Sequence, residues 1–195
     1  MSDLHVIITV PHASCEDSIK AEKSCDTLAY NIALSLKKHF ESKEVKVSLY
    51  ANTSTPRKIM DMNRVIARST EYRKTIQDKL EQLSSKGKNV YVFDIHSFPD
   101  IKEYENNFQV YLLPHDKANL VRSAVSLSQY MNTYTSLSTG VYLSDESNDI
   151  TLQALEIIPT SKIFLLENWE ALSPKQIYAM TSCIVAWTLQ DSTSA

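Results

Sequence analysis

The sequence predicts a three-layer α/β fold in which helices cover both faces of a mostly parallel central sheet. Short runs of β-branched and aromatic residues alternate along the chain with longer segments whose apolar residues recur at helical spacing. Strands that alternate with helices usually pair in parallel, because each helix carries the chain back across the sheet. The chain has only 2 glycines, so Asn, Asp, Ser and Pro are expected in most turns.

The predicted strands are apolar runs that stop at a proline or at polar residues. The run LHVIITV is rich in β-branched residues and ends at Pro11, which cannot donate to a sheet ladder. The run NVYVFDIH is apolar up to its polar end, as expected of a central strand buried on both faces. In chain order the predicted strands are 4–10, 45–50, 89–96, 107–114 and 161–168.

The predicted helices are longer segments with a continuous apolar stripe. The first has Ser24 or Asp26 as its expected N-cap, and the last has Pro174 in its first turn, where the missing N–H costs nothing. The second is amphipathic, with its charges on the outer face. In chain order the predicted helices are 25–40, 65–83, 117–134 and 173–190.

Length and composition limit the class of protein. A chain of 195 residues fits one domain, 1–195. Its net charge of −3 argues against a nucleic-acid partner, and its apolar stretches are too short for a membrane span. The start of the chain lacks the pattern of a signal peptide. The 3 cysteines show no metal-binding spacing and are odd in number. We therefore expect a reduced, cytoplasmic protein.

Polar residues follow three of the predicted strands. The first strand leads to His12, the third ends in Asp94 and His96, and the fifth ends in Glu167 and Asn168. In open α/β sheets, ligands bind outside the carboxyl ends of the strands. Asp94 lies two residues before His96, on the same face of the strand, so it is expected to orient the imidazole.

The loop after the second strand adds a dense polar cluster. It reads TSTPRKIMDMNR and contains Arg57, Asp61, Asn63 and Arg64. In a parallel sheet this loop reaches the same edge as the three polar strand ends. Two histidines, several carboxylates and arginines in one cleft are the residue types of a metal-dependent hydrolase that acts on an acidic substrate.

At these residues the chain resembles the N-formylglutamate amidohydrolases. The resemblance covers about residues 7 to 170, and its motifs occur in the family's order. They are VPHAS at 10–14, Asp26, PRKIMDMNR at 56–64, DIHSF at 94–98 and FLLEN at 164–168. That family is similar to the zinc-dependent exopeptidase and aspartoacylase group. The resemblance implies an α/β/α fold of the zinc-exopeptidase, phosphorylase/hydrolase-like kind.

The resemblance also implies a metal site and a reaction. One Zn²⁺ ion would be held by His12, His96 and a carboxylate, for which Asp26 is preferred and Glu16 is the alternative. Glu167 would act as general base in the cleavage of an amide bond. The substrate would be a small carboxylate-bearing molecule, N-formylglutamate or another N-acyl amino acid or peptide.

The remaining roles concern the substrate and the support of the ligands. By the same resemblance, Arg57 would stabilise the developing oxyanion and contact substrate, while Asn63 and Arg64 would grip the substrate carboxylate. Tyr142 is expected to present a hydroxyl to the substrate. Asp61, like Asp94, is expected to orient the metal ligands without binding the ion itself.

The chain departs from the family pattern at several positions. It reads HSFPD where the family has HSFTP, Asn168 follows the glutamate where a basic residue is usual, and Leu155 stands about where a histidine would be. A catalytically inactive binding or scaffold protein and a hydrolase of a different amide are therefore alternatives. A flavodoxin-like nucleotide-binding domain is disfavoured because the chain has no glycine-rich phosphate loop. Oligomeric state and the acyl group are left open.

Overall fold

A mixed sheet forms the centre of the protein. The computed structural model describes residues 3–14, 26, 28–98, 107–144 and 148–193. The strands are β1 Leu4–Val10, β2 Lys46–Ala51, β3 Asn89–Phe98, β4 Val110–Leu113, β5 Thr139–Val141 and β6 Lys162–Trp169. They form a 6-stranded sheet in the order β2-β1-β3-β6-β4-β5. The sheet is therefore centred on β3 and β6. Both strands carry polar residues near their carboxyl ends, His96 and Ser97 in β3 and Glu167 and Asn168 in β6.

The strand pairs are parallel, except that β4 runs antiparallel to β6. Residues 99–109 join β3 to β4, too few for the helical crossover that a parallel strand needs. The chain therefore enters β4 from the end of the sheet at which β3 finished. This arrangement confirms the predicted mostly parallel α/β architecture.

Helices cover both faces of the sheet. They are α1 Ala29–Glu41, α2 Glu71–Ser85, α3 Ala118–Tyr134, α4 Asp149–Ile157 and α5 Pro174–Thr193, with a 3₁₀ helix at Val65–Ser69. Buried residues of α1, α5 and most of α3 form one core cluster with the strands, and those of α2 and α4 form a second with Leu120 of α3. Among the described helices, none is both long and apolar enough to cross a membrane.

The central strands are buried on both faces, which explains their unbroken apolar sequences. Ile8 of β1 belongs to the cluster beneath α1, α3 and α5, whereas its neighbour Ile7 belongs to the cluster beneath α2 and α4. Phe93 of β3 stacks between Phe40 and Phe164, with ring centroids 6.1 Å and 5.7 Å away. The burial of both faces leaves the carboxyl ends of the strands as the place for polar side chains.

Three helix predictions differ from the structure. The segment predicted as one helix over 65–83 divides at Thr70, whose Oγ1 accepts a hydrogen bond from the backbone N–H of Arg73 and caps α2. α1 begins only at Ala29, and its N-cap position, Leu28, makes no side-chain cap. Asp26 is therefore not the cap of α1, and its carboxylate is directed at two histidines instead. Ser24 lies outside the described residues.

Candidate active site

His12 is placed by a turn directly after β1. Asn52 Nδ2 donates to the carbonyl oxygen of Pro11 at 2.9 Å, and the backbone N–H of Asn52 donates to that of Val10 at 3.0 Å. The carbonyl oxygen of His12 accepts from the N–H of Asp26 at 3.0 Å, which brings residue 26 beside it. The turn therefore places two polar residues, both buried, next to the end of β3.

The side chains of His12, Asp26 and His96 converge on one point. Asp26 Oδ2 lies 3.3 Å from Nδ1 of His12 and 3.0 Å from Nδ1 of His96. One ligand atom of each residue lies within 4.8 Å of those of the other two. The three residues predicted as the ligand set are thus brought together, while the alternative, Glu16, lies outside the described residues.

Each histidine is backed by a second carboxylate. His12 Nε2 lies 2.7 Å from Asp61 Oδ1, and His96 Nε2 lies 3.2 Å from Asp94 Oδ2. Asp94 is itself held by Thr9, whose hydroxyl donates to Oδ1 at 2.6 Å. If each Nε2 carries the proton and its N–H donates a hydrogen bond to its carboxylate, the lone pair of each Nδ1 faces Asp26. A carboxylate that accepts from the outer ring nitrogen commonly orients a metal-binding histidine in this way.

The pKa values around this centre reflect its excess of carboxylates. Burial lowers the pKa of His96, but the charges and hydrogen bonds of Asp94 and Asp26 outweigh it and hold that pKa well above the ordinary value. Burial raises the pKa of Asp26 and of Asp61, but their hydrogen bonds to the histidines bring both pKa values below the usual range. The carboxylates therefore stay ionised and favour a positive charge between them.

The three convergent residues fit a zinc ion. Two imidazoles and a carboxylate are a donor set found in catalytic zinc sites, where a fourth position stays open. Ligand atoms bound at ~2.0–2.1 Å in tetrahedral geometry stand about 3.3 Å apart. The Nδ1–Oδ2 distances of 3.3 Å and 3.0 Å agree with that separation.

Glu167 lies beside this centre at the end of β6. Its Cα pairs with that of His96 in the parallel β3–β6 ladder, so the two side chains leave the same face of the sheet. Burial raises the pKa of Glu167, and the charges of Asp26 and Asp94 add to the shift against the opposing histidines. Within the described part of the chain, no side chain or backbone group donates a hydrogen bond to its carboxylate. The side chain is therefore available to a ligand.

Arg57 and Arg64 meet at Asp61. Their Nε atoms lie 3.3 Å and 3.4 Å from Asp61 Oδ2, while 41% and 40% of their side-chain surfaces stay exposed. Asp61 Oδ1 also accepts from the backbone N–H of Asn63 at 2.9 Å. One carboxylate thus organises a histidine, two arginines and the local backbone, so the two guanidinium groups are fixed at the rim of the site.

Asn63 is buried and lies between His96 and the start of α4. Its Oδ1 accepts from the backbone N–H of Ile150 at 3.1 Å, and its Nδ2 donates to Asn148 Oδ1 at 3.1 Å. Nδ2 also lies 3.4 Å from His96 Nε2. Both ends of this amide are engaged by protein groups. Its surroundings in the structure are those of a residue that packs beside His96 and caps α4.

Tyr142 follows β5, the edge strand of the sheet next to β4. Its ring centroid lies 5.5 Å from that of Tyr111, and Tyr111 is the partner of Glu167 in the antiparallel β4–β6 ladder. The Tyr142 side chain is partly exposed. It is therefore one aromatic ring removed from Glu167, at the edge of the candidate site.

The sequence did not predict the supporting roles of Asn168, Arg73 and Asp149. Asn168 Nδ2 donates to the carbonyl oxygen of His96 at 2.9 Å and fixes the end of β3, and Arg73 and Asp149 form an ion pair at 2.8 Å with both side chains fully buried. Spacing could have identified Arg73, because it lies three residues before Ile76 and seven before Leu80 on the buried face of α2.

Comparisons with known proteins reveal fold similarity at low sequence identity. No protein-family profile and no curated protein sequence matches the chain. Similar solved structures include a gene product of Agrobacterium tumefaciens (14% identity, TM-score 0.71, 99% of this chain and 91% of that one). N-formylglutamate amidohydrolase from Ralstonia eutropha is 13% identical with a TM-score of 0.66, and the match covers 97% of this chain and 93% of that one. Succinylglutamate desuccinylase from Chromobacterium violaceum is 9% identical with a TM-score of 0.61, and the match covers 95% of this chain and 60% of that one. The chain thus has the fold of N-formylglutamate amidohydrolase, as its motifs predicted.

Proposed function

We propose that the chain is a zinc-dependent amidohydrolase that cleaves an amide bond in a small carboxylate-bearing substrate, such as an N-formyl or other N-acyl amino acid. One observation carries the proposal: His12, Asp26 and His96 converge, and each imidazole is backed by its own carboxylate. The fold shared with an amidohydrolase and a desuccinylase supports the same class of reaction.

His12, Asp26 and His96 would hold the ion. Zinc supplies Lewis-acid polarisation of a carbonyl group and lowers the pKa of water to about 7. Asp61 and Asp94 would keep the two imidazoles in the tautomer and orientation that directs Nδ1 inward. A divalent cation would also offset the repulsion among these closely spaced carboxylates.

Glu167 would be the general base. Its raised pKa brings the carboxylate closer to the operating pH, at which a base both accepts a proton and returns it efficiently. Because the side chain shares a sheet face with His96, Glu167 would accept a proton from water on the metal side of the substrate. The oxygen of that water would form a bond to the carbonyl carbon. The same carboxyl group would then protonate the leaving nitrogen as the C–N bond breaks, which releases a carboxylic acid and an amine.

The two arginines would bind the acidic part of the substrate. A guanidinium group matches a carboxylate with paired N–H donors, a geometry that lysine cannot reproduce. Arg64 would form this clamp, and Arg57 would stabilise the oxyanion that develops on the carbonyl oxygen. Asn63 would keep the Asp61–Arg64 segment in place, and the hydroxyl of Tyr142 would contact the substrate from the other edge of the site.

Metal content, followed by hydrolysis, tests the proposal. We expect about one zinc per chain in the wild type by elemental mass spectrometry, and loss of that zinc in His96→Ala. The matched control is His115→Ala, because His115 is also buried and bonds to Thr151, which is not one of the three proposed ligands. Zinc should be present in the wild type and in the control. Release of the acyl group as a carboxylic acid from N-formylglutamate, N-succinylglutamate or an N-acyl amino acid with a neutral side chain would then support the reaction.

Other outcomes would count against parts of the proposal. Zinc-loaded protein that cleaves none of these amides would favour the inactive binding protein. Wild type that takes up no zinc, even when zinc is supplied in excess, would contradict the metal site and with it the hydrolase mechanism.

A further inference from the structure

The largest fully buried side chain among the described residues is an arginine on α2. Arg73 has no exposed surface, although its helix supplies none of the residues of the candidate site. Its Nη1 donates to the carbonyl oxygen of Met62 at 2.9 Å and lies 3.4 Å from that of Arg64. These two carbonyl groups flank Asn63 in the chain. Arg73 therefore grips the backbone of the site loop from inside the protein.

The other end of the guanidinium group reaches α4. Nη2 donates to Asp149 Oδ2 at 2.8 Å and to Gln153 Oε1 at 2.5 Å. Asp149 is fully buried, and its own backbone N–H donates to the carbonyl oxygen of Asn63 at 3.2 Å. One side chain thus joins the loop at residues 62–64 to the first turn of α4, with Asn63 enclosed between them.

The enclosed loop presents a side chain to each histidine of the candidate metal centre. Asp61 contacts His12 Nε2, and Asn63 lies beside His96 Nε2. A shift of the loop backbone would move both contacts together, because the two residues are separated by one position and share the hydrogen bond from Asn63 N–H to Asp61 Oδ1. The position of this loop therefore sets the hydrogen bond that orients His12 and the packing beside His96.

We propose that Arg73 is a positioning residue for the metal centre, an inference that rests on the proposed zinc site. A buried charge adds little to net stability compared with an apolar residue of similar volume, so packing alone does not explain its presence. A guanidinium group explains it, since its planar fork of N–H donors can bridge two carbonyl groups and two side-chain acceptors at fixed angles. Lysine has one nitrogen and cannot span the same groups.

Arg68 provides a matched control. It binds the same carboxylate as Arg73, with Nε 2.8 Å from Asp149 Oδ2 and Nη2 2.7 Å from Asp149 Oδ1, but it does so from the partly exposed side. Arg68 also contacts Glu156, on the surface of α4. Among the contacts described, none joins the Arg68 side chain to the carbonyl groups of 62–64. Its removal should weaken the ion-pair network without releasing the loop.

The experiment measures zinc affinity and stability separately. Zinc dissociation constants come from competition with a chromophoric chelator, and unfolding of each metal-free protein comes from urea titration. We expect Arg73→Met to bind zinc about 10–100-fold more weakly, the range typical when support of a metal-binding histidine is lost. Arg73→Lys should recover only part of the affinity. The zinc affinity of Arg68→Met should stay within about threefold of the wild type, because this substitution leaves the loop at residues 62–64 in place.

Two results would overturn the inference. One is a folded Arg73→Met protein with the zinc affinity of the wild type. The other is an equal loss of affinity in Arg68→Met at an equal loss of stability, which would reduce the role of Arg73 to general stabilisation.

A second variant covers the case in which Arg73→Met does not fold. Asp149→Asn keeps the shape of the carboxylate but removes the charge that anchors Arg73, so zinc binding should weaken while the chain stays folded. Unchanged zinc affinity in that variant would contradict the inference. The two proposals fail separately: a wild type without zinc affinity contradicts the metal site, whereas zinc binding that is insensitive to Arg73 and Asp149 contradicts only the positioning role.

Discussion

The imidazole rings of His12 and His96 meet edge to face, with their centroids 4.9 Å apart, and both direct Nδ1 at the same oxygen atom of Asp26. His12 follows β1 and His96 lies near the end of β3, and these two strands pair in parallel as direct neighbours in the sheet. The pairing of the strands thus determines the separation of the two rings. Because their outer nitrogens are held by different carboxylates, the two histidines can be tested independently.

Asp61 is predicted to affect zinc binding without being a ligand. In Asp61→Asn the neutral amide no longer fixes the His12 tautomer, so we expect zinc affinity to fall about 10–100-fold. Chelator competition measures the change. Asp78→Asn, an exposed change of the same kind on α2, is the control and should leave zinc affinity unchanged. Equal affinities for Asp61→Asn and wild type would show that Asp61 does not support His12.

Glu167 is predicted to affect turnover without affecting zinc content. Glu167→Gln preserves the size of the side chain but removes the base, so we expect kcat to fall about 10²–10⁴-fold. Zinc content should stay at the wild-type level, because the proposed ligands are untouched. Turnover of the best substrate and elemental analysis of the same sample measure both quantities. Loss of zinc together with activity would indicate a ligand instead of a base, and Glu81→Gln on the exposed face of α2 serves as the control.

His5 is predicted to make stability depend on pH. Burial, with the charges of Lys79 and Lys46, lowers its pKa from 6.5 to about 4. Between these values the unfolded chain binds more protons than the folded chain, so the free energy of unfolding falls as pH decreases through this window. From pH 7 to pH 5 this group alone should remove about 1–2 kcal/mol.

The measurement is urea unfolding of wild type and His5→Asn at both pH values. The variant should lose about 1–2 kcal/mol less than the wild type over the same interval, since it no longer titrates there. His5 Nε2 lies 2.9 Å from Ser48 Oγ, so a constant offset from this lost contact is expected at both pH values. Parallel pH profiles for the two proteins would contradict the prediction.

Glycine is predicted to be required at position 140 for stability, because the side chain of Phe108 leaves no room for a Cβ atom there. A Cβ atom at this position in β5 would clash with Cδ2 of Phe108, so Gly140→Ala must displace the aromatic ring. We expect a loss of about 1–3 kcal/mol in the free energy of unfolding. In a Phe108→Ala background the same substitution should cost under about 0.5 kcal/mol, because the clash is gone. Equal costs in the two backgrounds would show that the Phe108 ring does not cause the loss.

Local sequence predicted the long elements and the residue types of the site. β1, β3 and β6 are buried on both faces, so their sequences are unbroken apolar runs, and the polar residues at their ends stand out. β5 and α4 were missed. A strand of 3 residues shows no alternation, and a helix of 9 residues is too short for a clear apolar period.

The 3₁₀ helix was merged with α2 for a related reason. Val65 and Ile66 continue the apolar spacing of α2 in sequence, yet both are exposed, because Thr70 ends one helix and caps the next. A hydrophobic pattern reports the period of a segment and carries no information on whether the chain turns within it. The hydroxyl at residue 70 decides that turn through a local hydrogen bond.

The sequence by itself determined that His12, His96 and Glu167 end or follow buried strands, because burial on both faces requires continuous apolar residues up to those positions. Only the tertiary structure decided which groups meet. The order of the strands places β1, β3 and β6 side by side, and the carbonyl oxygen of His12 accepts from the N–H of Asp26. The Arg73–Asp149 pair likewise joins residues 76 positions apart. Such contacts depend on strand pairing and helix packing between distant segments, and no local pattern encodes them.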